Sequence, residues 1–372
     1  MIYLDYAASS KVEDEVLDTF VNINKKYYAN PNSNHKLGME VKKVIDDCTK
    51  SIANKLNVKP EEIIYTSGAS ESNNLAIKGV CERYKCYGKH VLISSLEHNS
   101  IVASASVMQE LGFEVELIPV DKNGLVDIEN LKKLVRDDTI LVSICSVDSE
   151  LGIVQPIEEI GAFLKNYPNL IFHTDATAAI SKVNIDYKDV DLITVAPHKF
   201  GGLLSTGILI KREKVSLKPQ INGGRSTTVF RSGTPDVASI ASIEKALFIS
   251  LSNMEKRQNY IKKLSDKIKN ELKKYDNIYI NNREDSIPNV INFSIKNVKA
   301  LDMQKFLEDE GIYVSTKISC CPISTPSKLV YALTKDKSLA LSSIRVSLSY
   351  LTKEEEINQF LDTFNKIMER FK

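Results

Sequence analysis

The chain has 372 residues, 43% of them apolar, and its 49 basic and 48 acidic residues leave a net charge of +1. That length exceeds what one hydrophobic core normally organises, so two domains are expected. The composition argues against disorder, and the charge balance gives no electrostatic reason to expect nucleic acid or an anionic membrane as partner.

Helical patterns at 12–28 and 39–56 precede a short apolar strand at 62–66. Small residues follow it and open a further helix. A strand at 90–94 leads into a helix near 100–111 and then a strand at 114–119. Apolar runs at 140–147, 170–175 and 191–196 each end in polar or small residues, and 203–210 reads as an edge strand. This alternation predicts an α/β domain with a largely parallel sheet. The composition shifts after Phe248, where a Lys-rich helical segment runs to Lys274. Strands at 278–280, 290–293, 312–315 and 343–347 follow, with helices at 301–309 and 353–371. We therefore expect a large domain over 1–248 and a smaller α+β domain over 249–372.

No apolar run has the length of a membrane span, and the first residues lack a basic segment followed by an apolar one. A cytoplasmic protein is expected. The cysteines Cys48, Cys81, Cys86, Cys145, Cys320 and Cys321 fit neither a disulfide framework nor a zinc site. No resident metal is expected.

Four short segments carry chemistry. Lys199 follows an apolar strand in Pro197-His198-Lys199, where open α/β sheets bind ligands; a shielded amine there can form a Schiff base. Taken alone it also reads as an ordinary loop lysine. Asp175 ends another apolar strand 24 residues earlier and could sit on a neighbouring strand end. A carboxylate there could face a pyridinium nitrogen, or simply cap a helix. The segment Thr66-Ser67-Gly68-Ala69-Ser70-Glu71 runs from strand through turn to helix, a start suited to phosphate. No lysine follows in P-loop register, which disfavours a nucleoside triphosphate. His98 follows a strand and could stack on a planar cofactor and move protons, or pack as a helix cap.

Together these motifs resemble the cysteine desulfurase group of class V aminotransferase-fold enzymes. The likeness runs nearly end to end: Tyr3-Leu4-Asp5-Tyr6-Ala7-Ala8, Asn30-Pro31-Asn32-Ser33, Thr66 to Ser72, Glu97-His98, Asp175-Ala176-Thr177, His198-Lys199, Arg231-Ser232-Gly233-Thr234 and Ser343-Ile344-Arg345. The resemblance implies a fold type I, pyridoxal 5'-phosphate (PLP)-dependent transferase acting as a homodimer. It implies that Lys199 carries PLP, Asp175 pairs with the ring nitrogen, and His98 stacks on the ring and serves in acid/base steps. Ala69, Ser70 and His198 would hold the phosphate, joined by Thr234 of the partner subunit. Arg345 would clamp the carboxylate of L-cysteine, with Ser149 beside it. Cys320 would be the loop nucleophile that takes sulfur as a persulfide, leaving L-alanine, with Cys321 as the alternative. A protein sulfur acceptor is implied; iron–sulfur assembly, tRNA thiolation and cofactor sulfuration are its possible destinations.

The chain departs from the family at several positions. Asp148 and Ser149 stand where the family has two asparagines, Ala178 where it has glutamine, and Ala196 where it has serine. Ser226-Thr227-Thr228 replaces a charged segment. An inward-pointing Asp148 would repel a substrate carboxylate. These changes keep other expectations open: a selenocysteine lyase, an aminotransferase that needs no loop thiol, or a non-catalytic member.

Overall fold

The computed structural model describes residues 1–224, 226–317 and 325–371. The N-terminal part contributes β1 (Ile2–Tyr3), α1 (Asp14–Lys26), α2 (Lys36–Leu56), β2 (Ile63–Thr66), α3 (Ala69–Tyr84), β3 (His90–Ser94), α4 (Asn99–Glu110) and β4 (Glu114–Ile118). Next come α5 (Ile128–Leu134), β5 (Thr139–Ser143), α6 (Ile157–Leu164), β6 (Ile171–Asp175), β7 (Leu192–Val195), β8 (Gly207–Lys211) and α7 (Val237–Ser252). The remainder holds α8 (Met254–Leu272), β9 (Ile278–Ile280), β10 (Val290–Ile295), α9 (Ala300–Asp309) and β11 (Ile312–Tyr313). It ends with α10 (Lys328–Thr334), α11 (Lys337–Leu341), β12 (Ser343–Ser347) and α12 (Glu354–Met368).

A seven-stranded sheet runs in the order β2-β8-β7-β6-β5-β3-β4. Strands β3 to β7 pair in parallel, whereas β8 is antiparallel to both neighbours. Strands β3, β5, β6, β7 and β8 are buried along their whole length, because helices cover both faces of a parallel sheet. One apolar cluster, including Phe172, Ile193 and Ile208, packs on one side; another, including Ile77, Leu141 and Leu209, packs on the other.

The expected edge strand at 203–210 is corrected. Strand β8 lies between β2 and β7 and uses both of its hydrogen-bonding edges. Strand β2 adds antiparallel outside it and becomes the edge. The apolar run at 140–147 is also shorter as a strand, ending at Ser143. Past it the chain stays near the sheet end, where Ser146 N–H donates to Asp175 O at 3.0 Å. Helix α5 was not expected from the apolar pattern; its start is fixed by Asp127, whose carboxylate accepts from Asn130 N–H at 3.1 Å.

A three-stranded antiparallel sheet, β12-β10-β9, carries a separate apolar cluster with Phe293, Phe360 and Phe364. The N-terminus joins it: β1 pairs in parallel with β11, and Ile2 and Leu4 lie in that cluster. The same run brings Asp5, Ala7 and Ala8 to the C-terminal ends of the large sheet's strands. No helix among the described residues is long and apolar enough to cross a membrane.

Candidate active site

Strand ends, the start of α3 and β12 surround a cavity of about 530 Å³. Its lining includes Ala69, Ser70, His98, Ser149, Asp175, His198, Lys199 and Arg345. Eight of the residues singled out in the sequence therefore share one space. It lies at the carboxyl ends of parallel strands, as the rule for open α/β sheets requires. Thr234 does not line it; this exposed residue borders a neighbouring cavity with Arg231 and Ser226. Cys320 and Cys321 lie outside the described residues.

Lys199 ends a short 3-10 turn, Pro197–Lys199, directly after β7. Its ammonium donates to the carbonyl oxygens of Ala7 and, at 2.8 Å, Ala8. Asp175 ends β6, the strand next to β7. One of its carboxylate oxygens accepts from Thr177 N–H at 2.9 Å, and the other from Asn73 Nδ2 at 2.8 Å. Asn73 was missed from the sequence. It lies one helical turn beyond Ala69, so helical periodicity alone would have placed it on the face that looks into the cavity.

The start of α3 forms another wall. Gly68 has φ +143°, and β8 approaches so closely that a Cβ on Gly207 would lie 2.6 Å from Thr66 Oγ1. Backbone amides at a helix start lack intrahelical acceptors, and the dipole favours an anion. Glu71 shapes this end by accepting from Ser67 N–H at 2.7 Å and pairing with Arg231 at 2.9 Å.

His98 caps α4, with Nδ1 accepting from Ser100 N–H at 3.2 Å. Burial lowers its pKa, which the nearby Asp175 carboxylate partly opposes and Lys199 reinforces. A neutral ring in this setting carries its proton on Nε2. Burial and the neighbouring ammonium groups of Lys199 and Lys182 push His198 down to about 4.

Arg345 on β12 is 2% exposed. It pairs with Asp5 at 2.7 Å and donates to Ser149 O at 3.0 Å, while its Nε has no partner among the described residues. Asp148 lines the same cavity, with its carboxylate held by its own turn. Its carboxylate accepts from Glu150, Leu151 and Ile153 N–H groups at 3.0, 2.6 and 2.9 Å, closing its own turn. Ala178 lines the cavity and Ala196 is buried behind Pro197.

Glu97 is buried beneath this site. Burial raises its carboxyl pKa to about 8, despite hydrogen bonds from Ser94 Oγ and Cys145 N–H at 2.6 Å each. Its second oxygen has no partner among the described residues, consistent with a protonated acid. A carboxyl whose folded pKa is raised stabilises the fold below its unfolded pKa, and that contribution is lost as pH rises through the folded value. Glu97→Gln is therefore expected to flatten the decline of Tm between about pH 5 and 8. Melting curves across that range check it; an unchanged slope would contradict a protonated Glu97.

The residues present fit PLP: an amine, a carboxylate on the adjacent strand, a planar imidazole and a helix start converge on one cavity. Three buried polar atoms at its margin, Asn73 Oδ1, Thr177 Oγ1 and Arg345 Nε, lack partners among the described residues.

The family model described as "Aminotransferase class-V" matches residues 2–360. Among curated proteins, "Cysteine desulfurase IscS" of Dictyoglomus turgidum is 36% identical over 376 residues, covering 100% of this chain and 95% of its own length. A solved "NIFS-LIKE PROTEIN" superposes with TM-score 0.93 at 31% identity, covering 99% of each chain. The structure titled "SspA in complex with cysteine" superposes with TM-score 0.83 at 28% identity, covering 95% of this chain and 100% of that one. With its site geometry and an end-to-end match of sequence and fold, this chain belongs to the class-V aminotransferase family.

Proposed function

We propose that this protein is a PLP-dependent cysteine desulfurase that converts L-cysteine to L-alanine and collects the sulfur as a persulfide on Cys320. The observation that carries the reading is the single cavity in which Lys199, Asp175, His98 and the start of α3 face Arg345. Similarity to proteins named for cysteine desulfuration, and to one solved with cysteine, supports this choice among the chemistries of the fold.

Lys199 would hold PLP covalently, Asp175 would face its ring nitrogen and His98 its ring. The amides of Ala69 and Ser70, with His198 and Thr234 of the partner subunit, would hold its phosphate. PLP, when bound, supplies an electron sink that eases bond breaking at the substrate's Cα. Arg345 orients the substrate by its carboxylate, and its fork suits that group. The unpartnered Nε–H and the second hydrogen on each Nη are left for the purpose, and Asp5 holds the guanidinium in place until the substrate arrives. Lys199 would take a proton at Cα. The Cys320 thiolate then attacks the substrate sulfur: an S–S bond forms, the substrate's C–S bond breaks, and a proton returned to the carbon completes alanine. His98, kept neutral by burial with Nδ1 accepting from Ser100 N–H, would act through its Nε2 proton as a general acid.

Asp148 lines the cavity, but burial raises its carboxyl pKa and its oxygens are engaged by amides of its own turn, which weakens one objection to desulfuration. Ser149 adjoins the proposed carboxylate site through its carbonyl bond to Arg345. The protein would act as a cytoplasmic homodimer and pass its sulfur to an acceptor protein, with iron–sulfur assembly as one destination. Arg345 and the cysteine loop would belong to a small domain, 249–372, closing on the PLP-binding unit.

Arg345→Lys keeps the charge and removes the fork. It is expected to raise KM for L-cysteine about tenfold to a hundredfold, the size of a lost charged hydrogen bond, with a smaller fall in kcat. Steady-state alanine formation checks this. An unchanged KM would remove Arg345 from substrate binding.

A further inference from the structure

Lys199 also faces a second, smaller cavity of about 50 Å³ on the other side of Ala7. Both residues line the two spaces and form the wall between them. The small cavity is lined by another lysine, Lys182, and by Gln258 and Asn289. Gln258 Oε1 and Asn289 Oδ1 are buried without a hydrogen-bond partner among the described residues. A space that size holds about three to five waters, since each needs roughly 10–15 Å³, and the two acceptors give such waters partners. Among the described residues no acceptor meets the Lys182 ammonium.

The groups around Lys182 are mostly cationic. Lys199 and Arg345 both act on it by charge, and it acts in turn on His198. From α8, Arg257 lines the same cavity but is neutralised by Glu13 at 2.8 Å. Lys11, Tyr6 and Tyr350 complete the titratable lining. Burial first, then Lys199 and Arg345, lower the Lys182 pKa to about 7. It is therefore charged below neutrality and loses that charge above it.

We propose that Lys182 is a positioning residue for Lys199, lowering the proton affinity of the Lys199 nitrogen by its charge across a water-filled cavity that the two share. A cation beside an amine disfavours the protonated form, so the nitrogen gives up its proton at a lower pH than it otherwise would. Chemistry at Lys199 needs that nitrogen to release and retake a proton near neutrality. This inference rests on the reading of Lys199 as the PLP lysine.

The test is a pH titration of the visible absorption of the PLP-loaded enzyme, with borohydride reduction and peptide mapping to show that PLP sits on Lys199. Lys182→Met removes the charge and is expected to move the titration midpoint up by about one pH unit. Lys182→Gln, which keeps a polar head, should shift likewise and guards against a variant that fails to fold. Lys182→Arg keeps the charge and should stay at or below the parent midpoint. If the unreduced Met and Gln variants titrate as the parent does, while reduction and mapping of separate samples place their PLP on Lys199, the charge role is overturned. If borohydride places no PLP on Lys199 of the parent, the underlying reading of the site fails instead.

Discussion

Lys199→Ala is expected to lower the rate of alanine formation from L-cysteine by a factor of about 10³ or more, the most severe loss of any single substitution in the cavity. Two roles fall on this amine. It would hold PLP and take the Cα proton, and both need a nitrogen at the end of β7. The backbone sets it there: the turn Pro197–Lys199 closes on β7, and the side chain meets the carbonyls of Ala7 and Ala8. Those carbonyls come from the N-terminal run that leaves β1, so the amine is positioned by a segment nearly two hundred residues away. The variant should still bind PLP through the phosphate end, with no borohydride-fixed adduct. A rate within tenfold of the parent, measured as alanine released, would show that another group removes the proton.

Cys320→Ser is expected to abolish protein-bound persulfide and reduce alanine formation to a small residue, while leaving PLP in place. A serine hydroxyl cannot take sulfur as a thiolate does. Cys320 lies outside the described residues, but the segments flanking 318–324 are rooted beside the substrate end of the cavity. Ser315 N–H donates to Arg345 O at 3.1 Å, so the approach to the loop pairs with the strand carrying the proposed carboxylate clamp. Lys317 Nζ donates to Thr325 Oγ1 at 2.9 Å, and Ser327 donates to the Glu150 carboxylate. These contacts anchor the described residues on either side, 315–317 and 325–327. Mass spectrometry of the enzyme after exposure to L-cysteine reads the result. Persulfide at the parent level in Cys320→Ser, and its loss in Cys321→Ser, would transfer the nucleophile to Cys321.

The strand ends that carry Asp175 and Lys199 were readable in the sequence because apolar runs buried on both faces stand out and end sharply. The helix start at Ala69 was readable from its small residues. Strand β8 was misread as an edge because order within a sheet depends on pairings that hydrophobic pattern does not encode; the antiparallel addition of β2 outside it is a long-range choice. Asp5 and Lys182 were not recognised for a similar reason. Asp5 gains meaning only when β1 docks on β11 and brings it to Arg345, 340 residues away. Lys182 reads as one lysine among many until the fold sets it in a cavity with Lys199. The doubt over Asp148 was likewise local: its side chain turns back on three amides of its own loop, which residue type alone did not show.

The most direct measurement is alanine formation from L-cysteine by the purified, PLP-loaded protein in the presence of a reducing thiol. The account predicts alanine and sulfide in equal amounts, with turnover abolished in Lys199→Ala. PLP bound to Lys199 with no alanine formed would contradict it and would mark the alanine at 178 and the serine at 149 as signs of a different reaction.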